Sequence, residues 1–379
     1  MTRFERLMGT LRGEQVDRPP VSFYELNGLD ENPGNPDPFN IYSHPSWQPL
    51  IELTREKTDR IVMRGVAYTS IAPDPIEDVS TIESVVRDGS RYTIRNVKVG
   101  QRTLTARTRR DPDINTVWTE EHLLKDVDDL RAFLQLPAPA SDGTIDRAPV
   151  LQAEAALGDT GVVMIDTPDP LCLAAALFDM AEYTVIAMTE QVLFRQLLEH
   201  FASVLLPRTA AVAKALPGRL WRIYGPEYAS PPYLPPALFR EYVCRYVTPM
   251  IESIHKGGGY ARIHSHGNLQ AILDDIAAMG ADGLDPIEPP PQGDVELRYV
   301  REHYGKAMVL FGNLEMSDIE NMPTVQFAEK VKRALAEGTS GDGRGFVLMP
   351  SACPYGRELA PLTMKNYEKI IEVVECQWR

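Results

Sequence analysis

The chain has 379 residues, 53 acidic and 39 basic, for a net charge of −14. Hydrophobic residues make up 44% and charged residues 24%, which excludes global disorder. The acidic balance excludes the basic footprint of a nucleic-acid binder, and the length suits one α/β barrel of about 250 residues plus insertions.

A first helix fits Arg3 to Leu11, and GEQVDRPP breaks it. Val21–Tyr24 reads as the first strand. Asn32–Trp47, rich in Pro, Asn and Ser, reads as a long loop. A helix over Pro49–Thr58 leads to a strand over Arg60–Met63. From Ser84 to Arg110 polar and apolar residues alternate, with turn signals at Asp88-Gly89 and Val99-Gly100. That is antiparallel hairpin chemistry, and it marks residues 76–140 as an insertion or flap on a larger body.

Beyond Pro137 strands and helices alternate. The predicted strands are Val162–Ile165, Leu220–Tyr224, Tyr260–His264, GLDPI, MVLFGN and FVLMP. The predicted helices between and after them are Gln191–Leu216, Ala237–His255, Leu269–Met279, Val295–His303, Thr324–Glu337 and Thr363–Glu375. Repeated βα units imply parallel strands. With the first strands counted there are about eight units, which favours a closed (β/α)₈ TIM barrel with a β-hairpin insertion. The alternative is an open doubly wound sheet, but no GxGxxG follows a strand. The whole chain then forms one barrel domain over 1–379.

The opening residues lack the apolar core of a signal peptide. No run of about 18 apolar residues offers a membrane span. Cys172, Cys244, Cys353 and Cys376 stand far apart without a CxxC. A reduced, cytoplasmic setting follows as the expectation.

The strongest local signal is His264-Ser265-His266 at a strand end. Side chains alternate along a strand, so the two imidazoles share a face. Glu288, in the proline-stiffened Asp285-Pro286-Ile287-Glu288-Pro289, falls at the end of the next strand. Cys353, in Pro350-Ser351-Ala352-Cys353-Pro354, falls just past the last one. Together His264, His266, Glu288 and Cys353 form an N₂OS set that suits tetrahedral zinc. Glu227 follows a strand and is a candidate general acid or substrate anchor. Asp285 is a candidate partner that orients a metal-bound histidine. Tyr24, Glu25, Asn27, Asp166, Asn268, Asn313 and Tyr355 stand at or just after strand ends and are candidate substrate contacts. Asp169 is read as a helix cap or an orienting group. Arg357, near Cys353, is read as closing over the site.

Five stretches carry a resemblance. They are ERLMGTLRGEQVDRPPV, YGPEYASPPYLPPALFREYV, IHSHGNLQAILDDIAAMGADGLDPIEP, LFGNLE and PSACPYGRELAPLTMKNYEKII. In that order they resemble the uroporphyrinogen decarboxylase superfamily over nearly the whole chain. The resemblance implies a (β/α)₈ barrel with its site at the C-terminal mouth, often in a homodimer. That superfamily also holds zinc methyltransferases that work with corrinoid-carrying proteins.

The decarboxylase branch opens with R-Q-A-G-R, whose arginines bind porphyrinogen carboxylates. Here the matching stretch is Tyr24-Glu25-Leu26-Asn27-Gly28-Leu29. Glu25 and Leu29 stand where the arginines belong. The aspartate expected after the next strand is absent from Met63-Arg64-Gly65-Val66. The methyltransferase motif is H-x-C with a later C, and a glutamate between them in the methionine synthase version. His264, Glu288 and Cys353 match it, while His266 replaces the middle cysteine. The resemblance therefore implies a zinc-dependent methyltransferase with a small-molecule or thiol substrate and a corrinoid partner. A cofactor-independent decarboxylase is the alternative.

Overall fold

The computed structural model describes residues 1–378. The strands are β1 (Arg60–Arg64), β2 (Tyr68–Thr69), β3 (Ser80–Arg87), β4 (Ser90–Val99), β5 (Arg102–Arg110) and β6 (Val117–Glu121). They continue as β7 (Thr144–Ile145), β8 (Gly161–Pro168), β9 (Leu220–Tyr224), β10 (Tyr260–Ser265), β11 (Gly283–Pro286), β12 (Val309–Leu314) and β13 (Phe346–Pro350). Seven of them form one sheet in the order β1-β8-β9-β10-β11-β12-β13, and every neighbouring pair is parallel.

The eighth place belongs to the segment around Val21. Val21 bridges Leu348 of β13 in parallel. Ser22 N donates to Leu348 O at 3.0 Å, and Leu348 N donates to Pro20 O at 2.9 Å. On the other side Asp59 N donates to Val21 O at 2.7 Å, just before β1. The sheet thus curls into a TIM-barrel-like ring. The segment is too short for a full strand because Pro19 and Pro20 have no N–H to give. Tyr24, at φ 51°, then turns the chain away.

Alternation along the strands sorts two layers. Ile61, Val162, Met164, Leu220, Val309 and Phe311 fill the barrel interior. Leu7, Met8 and Leu11 of the first helix, Arg3–Arg12, pack onto that interior. A Thr2/Glu5 capping box starts this helix. Phe4 N donates to Asp159 O just before β8, so the helix plugs the N-terminal end. The other layer, including Val163, Ile165, Trp221 and Ile223, faces the helices.

Between β1 and β8 the chain builds an antiparallel sheet, β3-β4-β5-β6. The expected turn at Asp88-Gly89 is present, both residues at positive φ (52° and 83°), as a two-residue hairpin requires. β3 begins at Ser80 rather than Ser84, and β6 was not foreseen, because VWTEE is short and follows an unpatterned loop. The helix expected over Ala237–His255 carries a π turn at Arg240–Cys244. The one expected from Leu269 begins at Leu273. Among the described residues no helix is long and apolar enough to cross a membrane.

Candidate active site at the barrel mouth

Register places the chemistry. Arg262 and His264 sit two apart on β10 and face the same way. His264 pairs in register with Asp285 of β11. The Asp285 carboxylate is fully buried and accepts from Arg262 Nε at 2.5 Å, Arg262 Nη2 at 2.7 Å and His264 Nδ1 at 2.8 Å. Burial alone would push its pKa up, but Arg262 and His264 outweigh it and hold the group far below the usual carboxylate range. An ionised Asp285 keeps the proton on His264 Nδ1, so Nε2 is the free lone pair.

One strand over, Arg222 of β9 pairs in register with Arg262 on one side and Asp166 on the other. Two arginines side by side in a buried ring need carboxylates. Arg222 takes Asp166 with Nε and Nη2 at 2.7 and 3.0 Å. Its Nη1 donates to the Tyr24 hydroxyl at 2.7 Å and lies 3.6 Å from Glu25. The Tyr24 hydroxyl in turn lies 3.3 Å from His264 Nε2. Burial, with the charge of Asp285, pushes the phenol pKa well up, so it stays protonated.

His266 repeats the pattern of His264. Its Nδ1 lies 2.8 Å from Glu288 Oε1, and its ring centroid is 4.6 Å from that of His264. Glu288 Oε2 accepts from Gly267 N at 2.8 Å. Desolvation lowers the His266 pKa, but the bond and charge of Glu288 outweigh it and the net shift is upward. Glu288 shifts down: burial opposes, and His266 with the Gly267 N–H prevails. Glu288 therefore braces His266 here, as Asp285 braces His264.

Cys353 takes a different partner. Its Sγ lies 3.6 Å from Glu25 Oε2. Burial and the Glu25 charge push the thiol pKa well up, so it is a thiol here and not a thiolate. Among the described residues no group of three or more His, Cys, Asp or Glu is gathered as a metal site. The fit to zinc is thus chemical and partial. Both imidazoles have Nδ1 held by a carboxylate, the arrangement that orients metal-binding histidines. The sulfur is nearby in the network but engaged with Glu25.

The remaining candidates divide. Tyr24, Glu25 and Asp166 belong to the network. Asn27 does not reach it: its Oδ1 accepts from Leu29 N and Asp30 N at 2.9 and 3.1 Å, a local turn. Glu227 accepts from Gly225 N at 3.0 Å within its own turn. Asn313 Nδ2 donates to Ile287 O at 3.2 Å and braces the β11 loop, where Ile287 sits at φ 56°. Positive φ is costly for a β-branched residue and is held here by its surroundings. Asn268 follows the histidines without a side-chain hydrogen bond among the described residues. Asp169 is a buried cap, accepting from Cys172 N at 2.6 Å.

Tyr355 is 51% exposed and makes no side-chain hydrogen bond to the network among the described residues. Arg357 does not close over the site either. Its Nε donates to Pro112 O at 2.7 Å, and Arg357 N donates to Asp113 O at 2.7 Å. With Asn115 N donating to Tyr355 O at 2.7 Å, the β5–β6 turn clamps the loop that carries Cys353.

Arg222, Arg262 and Glu315 were not anticipated. The two arginines were findable, because an arginine inside an apolar strand must have a buried partner. Glu315, 7% exposed, has one oxygen without a partner and the other 3.4 Å from Ser351 Oγ. Burial, then the Glu288 charge, raises its pKa to about 7.

Residues 158–361, more than half of the chain, match the family model described as uroporphyrinogen decarboxylase (URO-D). Among solved structures, a methyltransferase from Methanosarcina mazei matches with a TM-score of 0.63 and 19% identity, covering 100% of both chains. At that identity the likeness concerns the fold. A D-psicose 3-epimerase, solved in the presence of D-fructose, gives a TM-score of 0.36 and 10% identity over 61% of this chain and 83% of that one. That likeness is too slight to argue from. A search of curated proteins finds no match.

Proposed function

This chain belongs to the uroporphyrinogen decarboxylase (URO-D) family, and from that premise we propose that it is a zinc-dependent methyltransferase. It would move a methyl group between a small substrate or thiol and a corrinoid carrier. The observation that carries the reading is the paired His–carboxylate arrangement. His264 and His266 lie side by side, each with Nδ1 held at 2.8 Å by a carboxylate from the neighbouring βα unit. Such pairs fix which nitrogen is free. A polycarboxylate substrate of the decarboxylase branch would meet the Glu25 carboxylate at the mouth, where its binding arginines belong.

A zinc ion held by His264, His266 and Cys353 would supply Lewis acidity, lowering the pKa of a thiol or polarising a methoxy or amine substrate. The protein's own groups prepare the place. Arg262 keeps Asp285 ionised, and Asp285 keeps the His264 proton on Nδ1. Glu288 and the Gly267 N–H fix His266. Tyr24 holds the His264 Nε2 lone pair until it is needed, and Arg222 holds Tyr24. As a ligand, Cys353 would have to give up its bond to Glu25. Glu25 and Arg222 then face the substrate.

The test is metal analysis of protein purified without a histidine tag, combined with methylcobalamin demethylation followed by absorbance. About one zinc per chain and demethylation in the presence of a thiol or amine acceptor is the expected result. Metal-free protein that still turns over a carboxylated substrate would replace this reading with the decarboxylase one.

A further inference from the structure

Strand β3 (Ser80–Arg87) is one free edge of the antiparallel sheet β3-β4-β5-β6. Every residue from Thr81 to Arg87 is exposed, and three of them are β-branched and apolar: Ile82 at 57%, Val85 at 46% and Val86 at 61%. Sheet edges are normally blunted by proline, lysine, a bulge or a covering segment. β3 contains no proline or lysine, and it pairs with β4 without a register shift from Ser80↔Val97 to Arg87↔Ser90. The two-residue turn Asp88-Gly89 settles which backbone groups face outward. In such a turn the Arg87 carbonyl accepts from Ser90 N, so alternation directs the N–H and C=O of Glu83, Val85 and Arg87 toward β4. Those of Ile82, Ser84 and Val86 point to the free edge, and none of the three has a backbone partner beyond β3 and β4 among the described residues.

The charges on this edge select the partner. Glu83, Val85 and Arg87 share one face of β3, because side chains alternate. Four arginines of β4 and β5 are matched within the chain: Arg91 by Asp37, Arg95 by Glu77, and Arg107 and Arg109 by Glu120. Glu83 and Arg87 have no ion pair among the described residues. We propose that this edge pairs with the same edge of a second copy of the chain, antiparallel about a two-fold axis at Val85. The two four-stranded sheets then join into one. In that register Glu83 of each copy stands opposite Arg87 of the other, and Val85 stands opposite itself. Ser84 stands opposite Val86, and the two exchange their outward N–H and C=O groups. An axis at Glu83 or Arg87 would set like charges opposite each other. An axis at Ser84 or Val86 would set no charge opposite its complement. The contact is isologous and closes on itself. One strand edge falls short of the about 1,200 Å² of a standard interface, so the dimer exchanges reversibly with the monomer. The pairing goes beyond the methyl-transfer reading and does not depend on it.

Sedimentation velocity of the full chain over a concentration series tests the pairing. A monomer–dimer equilibrium without larger species is expected. Ser84→Pro removes an outward N–H and keeps the bonds between β3 and β4, so it should leave the chain monomeric. Glu83→Lys, at an exposed position, sets like charges opposite each other and should weaken the dimer about tenfold. The double variant Glu83→Lys/Arg87→Glu should bring the dimer back, because it restores opposite charges in the same register. Circular dichroism confirms the fold of each variant, and the charge variants decide the matter if the proline disturbs the strand. A monomer at every concentration up to about 1 mM would overturn the proposal. So would a dimer that survives in folded Ser84→Pro, a Glu83→Lys dimer as tight as the parent's, or no recovery in the double variant. Species larger than a dimer would set β3 against a different surface of the next copy, such as the β6 edge, and would overturn it as well.

Discussion

The Tyr24 hydroxyl lies 3.3 Å from His264 Nε2, the one imidazole nitrogen that Asp285 leaves free. The two residues are 240 positions apart in the chain and meet because the short segment before Tyr24 occupies the eighth place in the ring. Tyr24 therefore guards the lone pair on which the proposed metal chemistry depends. Tyr24→Phe removes the guard and also leaves Arg222 Nη1 without its acceptor. The expected outcome is a loss of about 1.5–3 kcal/mol of stability, the worth of a hydrogen bond to a charged group. Zinc affinity should hold or rise. Denaturant melts and chelator competition on the same preparation check both parts, and a large loss of zinc would overturn the guarding role.

Asp285→Asn tests the buried pair behind His264. The variant leaves Arg262, 2% exposed, without its counter-charge. Removing one partner of a buried pair costs about 3–5 kcal/mol. Loss of the carboxylate behind a ligand histidine should also weaken zinc about 10–100-fold. Wild-type zinc affinity in a folded Asp285→Asn protein would show that His264 is not a ligand.

Glu315 sets a pH dependence. Its folded pKa is raised to about 7, against about 4.3 for an ordinary glutamate. A raised folded value means that the folded state holds the extra proton between those two pH values. Stability from this group is then fully present below about pH 4.3 and is lost as pH rises through about 7, by about 3–4 kcal/mol in all. Glu315→Gln keeps the shape and removes the titration. Its denaturation midpoint should change less between pH 5 and 7.5 than that of the parent protein, and parallel curves would refute the assignment.

The barrel was legible in the sequence because each βα unit changes its hydrophobic period from two to about 3.6. The His264–His266 pair and Asp285 were legible for the same reason, since strand ends fix which way side chains face. Arg222 and Arg262 pass in LWRIY and YARIH for the polar half of an alternation; that an arginine inside an apolar strand needs a buried partner is legible, but that the partners are Asp166 and Asp285 is shown only by the register of the ring. Asn27 was over-read, because an asparagine after a strand ligates a substrate or closes a turn with the same sequence signature. Spacing along the chain places Glu288 at the mouth, whereas its bond to His266 Nδ1 depends on the path of the loop after β11, which spacing does not carry.

Porphyrinogen turnover is the next expectation to check. Glu25 carries its charge into the mouth, 3.6 Å from Arg222 and 3.6 Å from Cys353. Arg222 is already matched by Asp166, so a polycarboxylate finds little free positive charge among these groups. Incubation with uroporphyrinogen, followed by chromatography of the products, should show no decarboxylation. Turnover at about 1 s⁻¹ or faster, the low end for ordinary enzymes, would refute this.

Cys353 is where the metal assignment is most exposed. It is the one soft donor among the proposed ligands, and in the protein without metal it is a thiol bonded to Glu25. Zinc binding must therefore release a proton, so metal uptake should strengthen as pH rises. Cys353→Ala should lose most of the zinc. Cys353→Ser should do little better, because a hydroxyl is a far weaker zinc ligand than a thiolate. His266→Cys should keep zinc and leave Glu288 without its imidazole partner, held by the Gly267 N–H alone beside a new thiolate. Glu288→Gln should weaken zinc about 10–100-fold, as for a group that orients a ligand, whereas a true ligand would cost more. Metal content after dialysis, with circular dichroism to confirm folding, ranks the four variants. Stoichiometric zinc in Cys353→Ala would remove the sulfur from the site and leave the two braced imidazoles as the whole of it.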